Sequence, residues 1–281
     1  KAFEKPKYME NVYPIGNDED EEDKGYLAYS VTAGTALDRE YYYAFKVLSY
    51  ALLGMPGAPL KKALVDAGIG KSVSGGYSDG VLQCSFEIIA KNVDVAKRDE
   101  FEKIIEDTLK SVVANGIDKN SLKAALNVME FQYREADFGN YPRGLFYGFY
   151  IMDSWLYDEN QPFMNVMAGE TFEKLNELAK TDYFEKLISE YILNNNHKVI
   201  YSLKPQKGLQ EERDKALSDK LADYKNTLTD SELDEIIKTT KELEKYQSEP
   251  SAKEDIEKLP VLKISDIKNE PKLIKYELKE H

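Results

Sequence analysis

Gly25-Tyr26-Leu27-Ala28-Tyr29-Ser30-Val31-Thr32-Ala33 opens the segment that decides the fold, and Asp38 to Leu52 completes it. Leu27, Tyr29, Val31 and Ala33 alternate with Tyr26, Ala28, Ser30 and Thr32, at the two-residue period of a strand with one buried face. A few residues later the period changes. Asp38 can cap a helix on which Tyr42, Phe45, Leu48 and Leu52 share one face. A half-buried strand feeding directly into an amphipathic helix predicts a sheet with helices packed on one side.

Working outward, Gly54-Met55-Pro56-Gly57 breaks that helix, and Leu60 to Asp66 forms a short second one that stops at Gly68. Ser74-Gly75-Gly76-Tyr77-Ser78-Asp79-Gly80 reads as a Gly-rich turn between two strands. In the second of these Leu82, Cys84, Phe86 and Ile88 face one way, which makes Cys84 a buried, inert small hydrophobe. Phe101, Ile104, Ile105, Leu109 and Val112 mark a longer helix ending at Gly116. Leu122, Leu126, Met129 and Tyr133 mark another that starts near Asp118. An aromatic-rich helical stretch from Leu145 to Leu156 and helical pieces over 171–194 follow. Val199, Tyr201 and Leu203 form a closing strand that Pro205 is expected to terminate. This order predicts an α+β fold with a largely antiparallel sheet and helices packed on it. A doubly wound parallel sheet ranks second.

The flanks differ in character. Residues 1–24 read as a lead-in ending in the acidic run Asp18-Glu19-Asp20-Glu21-Glu22-Asp23. A calcium loop counted from Asp18 would need Gly and Glu where Asp23 and Tyr29 stand, so the run is a solvated loop. Residues 207–249 are Lys/Glu-rich, with sparse apolar points at Leu217, Leu221, Tyr224, Leu228, Leu233, Ile236, Ile237 and Leu243. Thr229 and Glu232 make a capping box, and Leu228 with Leu233 fits a hydrophobic staple. This predicts a projecting helical hairpin, followed by an extended tail over 250–281. The α+β domain occupies 25–206.

Composition narrows the function. The 281 residues carry 38 basic and 51 acidic side chains, a net charge of −13, which argues against nucleic-acid or anionic-membrane binding. No apolar run is long enough to cross a bilayer. One cysteine and two histidines can assemble neither a zinc site nor a Cys/His nucleophile. Gly70-Lys71-Ser72 ends like a P-loop, but Val65 stands where its first glycine belongs. Gly68-Ile69-Gly70 begins a dinucleotide fingerprint that fails at Val73. His197 reads as a surface or edge histidine. Arg134 and Arg143 draw notice because only five arginines stand beside 33 lysines; a buried ion pair with Glu130, Asp137 or a helix end is the preferred reading.

Ser49 to Gly70, followed by Ser74-Gly75-Gly76-Tyr77, makes one distinctive block. Arg134-Glu135-Ala136-Asp137-Phe138-Gly139-Asn140-Tyr141-Pro142-Arg143-Gly144-Leu145, followed by Trp155-Leu156-Tyr157-Asp158, makes a second. Together they resemble the presequence-protease branch of the insulinase/pitrilysin zinc metallopeptidases, over nearly the whole chain and in matching order. The resemblance implies the non-catalytic second domain of an enzyme that degrades peptides in an enclosed chamber, followed by a hairpin linking the enzyme's halves. It implies zinc held by an H-x-x-E-H motif in a first domain of the full-length parent, with water activated there. That motif is not in this chain, so no catalytic or metal residue is expected here and no cofactor is expected to bind.

The partners so implied are a peptide substrate, the first domain and the C-terminal half of the same polypeptide. The absence of an initiator Met at Lys1 fits a piece cut from a longer chain, expected to be cytoplasmic and, alone, inactive. By resemblance, Leu53, Gly54, Val73, Ser74, Gly75, Gly76 and Tyr77 would hold the peptide's N-terminal end. Glycines beside a strand let another backbone approach and add as a strand. The competing reading, in which Gly75 and Gly76 merely make a tight turn, stays open. So does a stand-alone interaction module of the same fold.

Overall fold

The computed structural model describes residues 2–136 and 138–266. Expectations resting on Asp137 and on the end of the tail from Ile267 lie outside these residues. The chain divides into two compact units, one up to Arg213 and a second from Asp214, with the boundary inside a helix rather than at residue 206.

The first unit is built on a mixed sheet of β1 (Lys7–Ile15), β2 (Gly25–Thr35), β3 (Ser72–Ser78), β4 (Gln83–Val93) and β5 (Lys198–Lys207), in the order β1-β5-β2-β4-β3. Only the β1–β5 pair is parallel; the β5–β2, β2–β4 and β4–β3 pairs are antiparallel. Leu27, Tyr29, Val31 and Ala33 are fully buried, as are Cys84, Phe86, Ile88 and Ala90 on β4 and Ile200 on β5. These residues form the helix-covered face predicted from the two-residue period.

The covering helices follow from local signals. Asp38 caps α1 (Arg39–Ser49) by accepting the Tyr41 N–H at 3.0 Å, and Tyr42, Phe45, Leu48 and Leu52 are all fully buried. Each such side chain contributes roughly 1.5–3 kcal/mol of apolar burial. The helix widens into a π-helical turn, Tyr50–Gly54, before Met55 returns to extended backbone. Pro59 at the first position starts α2 (Pro59–Asp66), where its missing N–H costs nothing. Phe101, Ile105 and Leu109 bury one stripe of α3 (Arg98–Asn115). Asp118 caps α4 (Lys119–Glu135), accepting the Ser121 N–H at 2.7 Å. Then come α5 (Arg143–Trp155), α6 (Gly169–Leu178) and α7 (Tyr183–Leu187), the last running into a second π-helical turn, Ile188–Leu193.

Several expectations need correction. The lead-in contains a strand: β1 pairs in parallel register with β5 from Lys7↔Val199 to Ile15↔Lys207. Its side chains are mostly exposed, so no apolar alternation announces it. Gly75 and Gly76 do not make a turn. They lie inside β3, paired with Ile88 and Glu87, and neither has a positive φ. Pro205 does not end β5, which continues to Lys207. Pairing with β2 stops at Tyr26↔Leu203, so Pro205 sits where β5 has an open side of the kind proline tolerates. Arg134 does pair with Glu130, at 2.7 Å, but its side chain is exposed rather than buried. Arg143 is exposed at the start of α5.

In the second unit, α8 (Leu209–Thr227, begun in the first unit) is followed by α9 (Asp230–Ser248) after Leu228 and Thr229. The capping box is present: Thr229 Oγ1 accepts the Glu232 N–H, and the Glu232 carboxylate accepts the Thr229 N–H at 2.8 Å. The apolar points stay half exposed, with Leu217 at 55% and Leu243 at 52%. Beyond them the tail is not wholly extended, since Lys253–Ile256 forms one short helix, α10.

Candidate functional site

The π-helical turn at the end of α1 and the edge strand β3 bring the expected substrate-holding positions together. A Cβ built on Gly75 would stand 2.9 Å from Leu53 Cδ1 and 2.1 Å from the Glu87 carbonyl oxygen. Glycine is therefore required for β3 to seat against both β4 and the turn. A Cβ on Gly76 would meet nothing within 4 Å. Gly54 is held close as well, its added Cβ falling 2.6 Å from the Tyr50 ring.

The positions divide by direction. Leu53 and Val73 are buried. Tyr77 also faces inward: it donates to the Ala33 carbonyl at 2.7 Å and stacks on Phe45 at 5.3 Å. Burial, followed by its contact with Cys84, pushes the Tyr77 phenol far above its ordinary range. These three residues support the strand from beneath. Gly54, Ser74 and Gly75 are exposed and Gly76 is half-buried, so they form the accessible part. β3 ends the sheet, with no strand on its outer side among the described residues. Its outward main-chain N–H and C=O groups make a template for a further strand.

The face of the sheet away from the helices is set by the same registers. Gly76 stands opposite Glu87, Glu87 opposite Ser30, and Ser30 opposite Val199. In the next row Ser74, Ile89, Ala28 and Tyr201 line up. Glu87 accepts a hydrogen bond from Ser85 Oγ at 2.6 Å. Among the described residues no Lys or Arg forms an ion pair with it.

A polar cluster that sequence reasoning missed lies where β3 ends. Lys46 on α1 pairs with Asp79 at 2.5 Å and donates to Tyr42 Oη at 2.8 Å, and Tyr42 donates to Asp153 Oδ2 at 2.8 Å. Burial raises the Asp153 carboxyl above its ordinary range and does the same to the Cys84 thiol. The ammonium pairs with Asp79 and reaches Asp153 only through the Tyr42 hydroxyl, whose bond to Asp153 ties α5 to α1. No sequence signal exposes it, because its members come from three distant elements. A buried cation, Lys198, opens β5. It donates to Tyr29 Oη at 2.9 Å and to the Leu193 carbonyl at 3.3 Å, with Glu106 at 3.6 Å.

The zinc implied by the resemblance does not fit the residues present. His197 Nδ1 accepts the Phe3 N–H at 3.2 Å, and the imidazole stacks on the Phe3 ring at 4.3 Å. Cys84 is buried on the apolar face. Among the described residues no three His, Cys, Asp or Glu side chains are placed to hold a metal ion. No helix among them is long and apolar enough to cross a membrane.

Residues 4–129 match the family model described as Peptidase M16 inactive domain, and residues 203–281 match a second model, of a domain associated with peptidases of the same family. The chain belongs to the M16 peptidase family. Protein HypA of Clostridium perfringens is 42% identical over 100% of this chain and 29% of its own length. Presequence protease 1, chloroplastic/mitochondrial, of Arabidopsis thaliana is 33% identical over 99% of this chain and 26% of its own length. The M16 chain thus spans under a third of either relative. Among solved structures, the peptidase M16 inactive domain from Pseudomonas fluorescens superposes with a TM-score of 0.50 at 14% identity, over 72% of this chain and 44% of that one. That likeness concerns the fold.

Proposed function

We propose that this M16 chain is a non-catalytic portion of a zinc-dependent metalloendopeptidase, in which it holds peptides for cleavage elsewhere in an enclosed chamber. The observation that carries the reading is the exposed edge of β3. A strand edge without side chains at Gly75 and Gly76, seated on Leu53 and β4, suits main-chain capture of an extended peptide. Recognition of that kind is nearly independent of peptide sequence, which a degradative enzyme needs. Gly54, Ser74, Gly75 and Gly76 would touch the peptide, with Leu53, Val73 and Tyr77 supporting them from below. Hydrolysis, and the zinc that supports it, belong to other parts of the polypeptide, which together with peptide are the expected partners. The cytoplasmic placement stays part of the proposal and gains no support from the Arabidopsis relative, whose name places that protein in chloroplasts and mitochondria.

N-methylation of a substrate peptide tests this without altering the protein. Methyl groups placed one residue at a time remove single N–H donors. Strand addition predicts that alternate positions weaken peptide binding to the whole protein while the intervening ones do not. A flat response along the peptide would remove the reading.

A further inference from the structure

The open sheet face behind β3 carries a charge placed for a side chain rather than for the main chain. Glu87 lies on β4 directly opposite Gly76. Its neighbours across the sheet in that row are Ser30 and then Val199, both uncharged. Ser85 and Ile89, which flank it on the same face, are uncharged as well. The carboxylate has Ser85 Oγ as a donor and no ion-pair partner among the described residues. It is half-buried, so a cation placed beside it is only partly screened.

Gly76 is what makes this carboxylate reachable from the strand edge. Any other residue there would stand a side chain between Glu87 and the outside of β3, whereas a Cβ at Gly76 meets nothing within 4 Å. A strand added to β3 would lie one strand spacing beyond it, roughly 10 Å from the β4 backbone. A Lys or Arg opposite Gly76 and the Glu87 side chain can close that gap by extending toward each other across the bare glycine. Short and apolar side chains cannot, and an acidic one meets a like charge.

We propose that Glu87 reads a basic side chain on a peptide strand added along β3, through the opening left by Gly76. The inference rests on the strand-addition reading and narrows it. Main-chain bonds supply sequence-independent affinity, while Glu87 sets the register and favours cationic peptides. The net charge of −13 acts in the same direction at long range.

The test uses fluorescent peptides identical except for Lys, Ala or Glu at one position, walked along the sequence. Binding to the whole protein is measured under chelator, so that the peptides stay intact. One position should favour Lys over Ala by roughly three- to fivefold, the range of a half-exposed ion pair, and the preference should fall with added salt. Glu87→Gln should abolish that preference and leave the affinity of the Ala peptide unchanged. Glu87→Lys should turn it toward Glu, and Gly76→Val should remove it by filling the opening. A Lys preference that survives Glu87→Gln overturns the proposal while strand addition stands. Loss of the alternate-residue N-methyl pattern in the Ala peptide overturns both.

Discussion

Gly75 and Glu87 are locked together: a Cβ on Gly75 would stand 2.1 Å from the Glu87 carbonyl oxygen. Gly76, the next residue, has open space where its side chain would be. Two adjacent glycines in one strand therefore serve different purposes. One lets β3 approach β4, and the other leaves a gap above the sheet.

The first prediction separates them by sign. Gly75→Ala forces β3 off β4 and should cost about 1–3 kcal/mol, as overpacking does. Gly76→Ala meets no neighbour and needs no left-handed backbone. It should be neutral or stabilise by about 0.4–1 kcal/mol through the unfolded chain. Urea denaturation of both variants measures this, and equal losses would contradict the assigned roles.

Cys84 should be chemically silent. Its thiol is buried and burial holds it above the ordinary thiol range, so the reactive thiolate is scarce and inaccessible. An aromatic disulfide reagent at pH 8 should leave the native protein unmodified at this thiol and label it on unfolding. Comparable labelling rates in the two states would place Cys84 at the surface.

Lys198 gives a pH dependence with a definite sign. Desolvation holds its ammonium below the ordinary lysine range, although Glu106 and Glu102 oppose the shift. Between the depressed folded value and the ordinary value of about 10.4, the unfolded chain binds more protons than the folded one. This contribution to stability therefore rises with pH across that window. Lys198→Met should remove the rise, so the difference in unfolding free energy between the two proteins changes with pH in the alkaline range. A difference independent of pH would show that burial does not disfavour the charged amine.

The capping box should matter only locally. Thr229→Ala removes the acceptor for the Glu232 N–H and should cost about 1 kcal/mol in α9. Amide exchange in the first turn of α9 should quicken, with strand amides of the first unit unaffected. Exchange that changes in β2 as well would mean the helix end reports on more than its own turn.

What was legible in the sequence was whatever left an apolar period or a capping residue. Leu27, Tyr29, Val31 and Ala33 announced the sheet, and Asp38 with Tyr42, Phe45, Leu48 and Leu52 announced the helix on it, because burial selects those side chains. β1 was not legible, since Tyr8 and Met9 remain half exposed and its place depends on pairing with a strand almost 200 residues away. The glycine pair misled for a related reason. Glycine marks turns more often than strands, and only the packing of Leu53 and β4 explains its use inside β3. The cluster of Lys46, Asp79, Tyr42 and Asp153 has no local pattern at all. For the candidate site, the residues that the resemblance names fall in one neighbourhood, where Gly54, Ser74 and Gly75 are exposed, Gly76 and Tyr77 half-buried, and Leu53 and Val73 buried.

Amide hydrogen exchange across Ser72–Ser78 of the whole protein, with and without a bound uncleaved peptide, tests the central claim most directly. Capture on the β3 edge predicts that exchange slows at alternate amides of this strand when peptide binds, because those facing outward acquire acceptors. Unchanged exchange in β3, with protection appearing on β1 or on no strand, would contradict it.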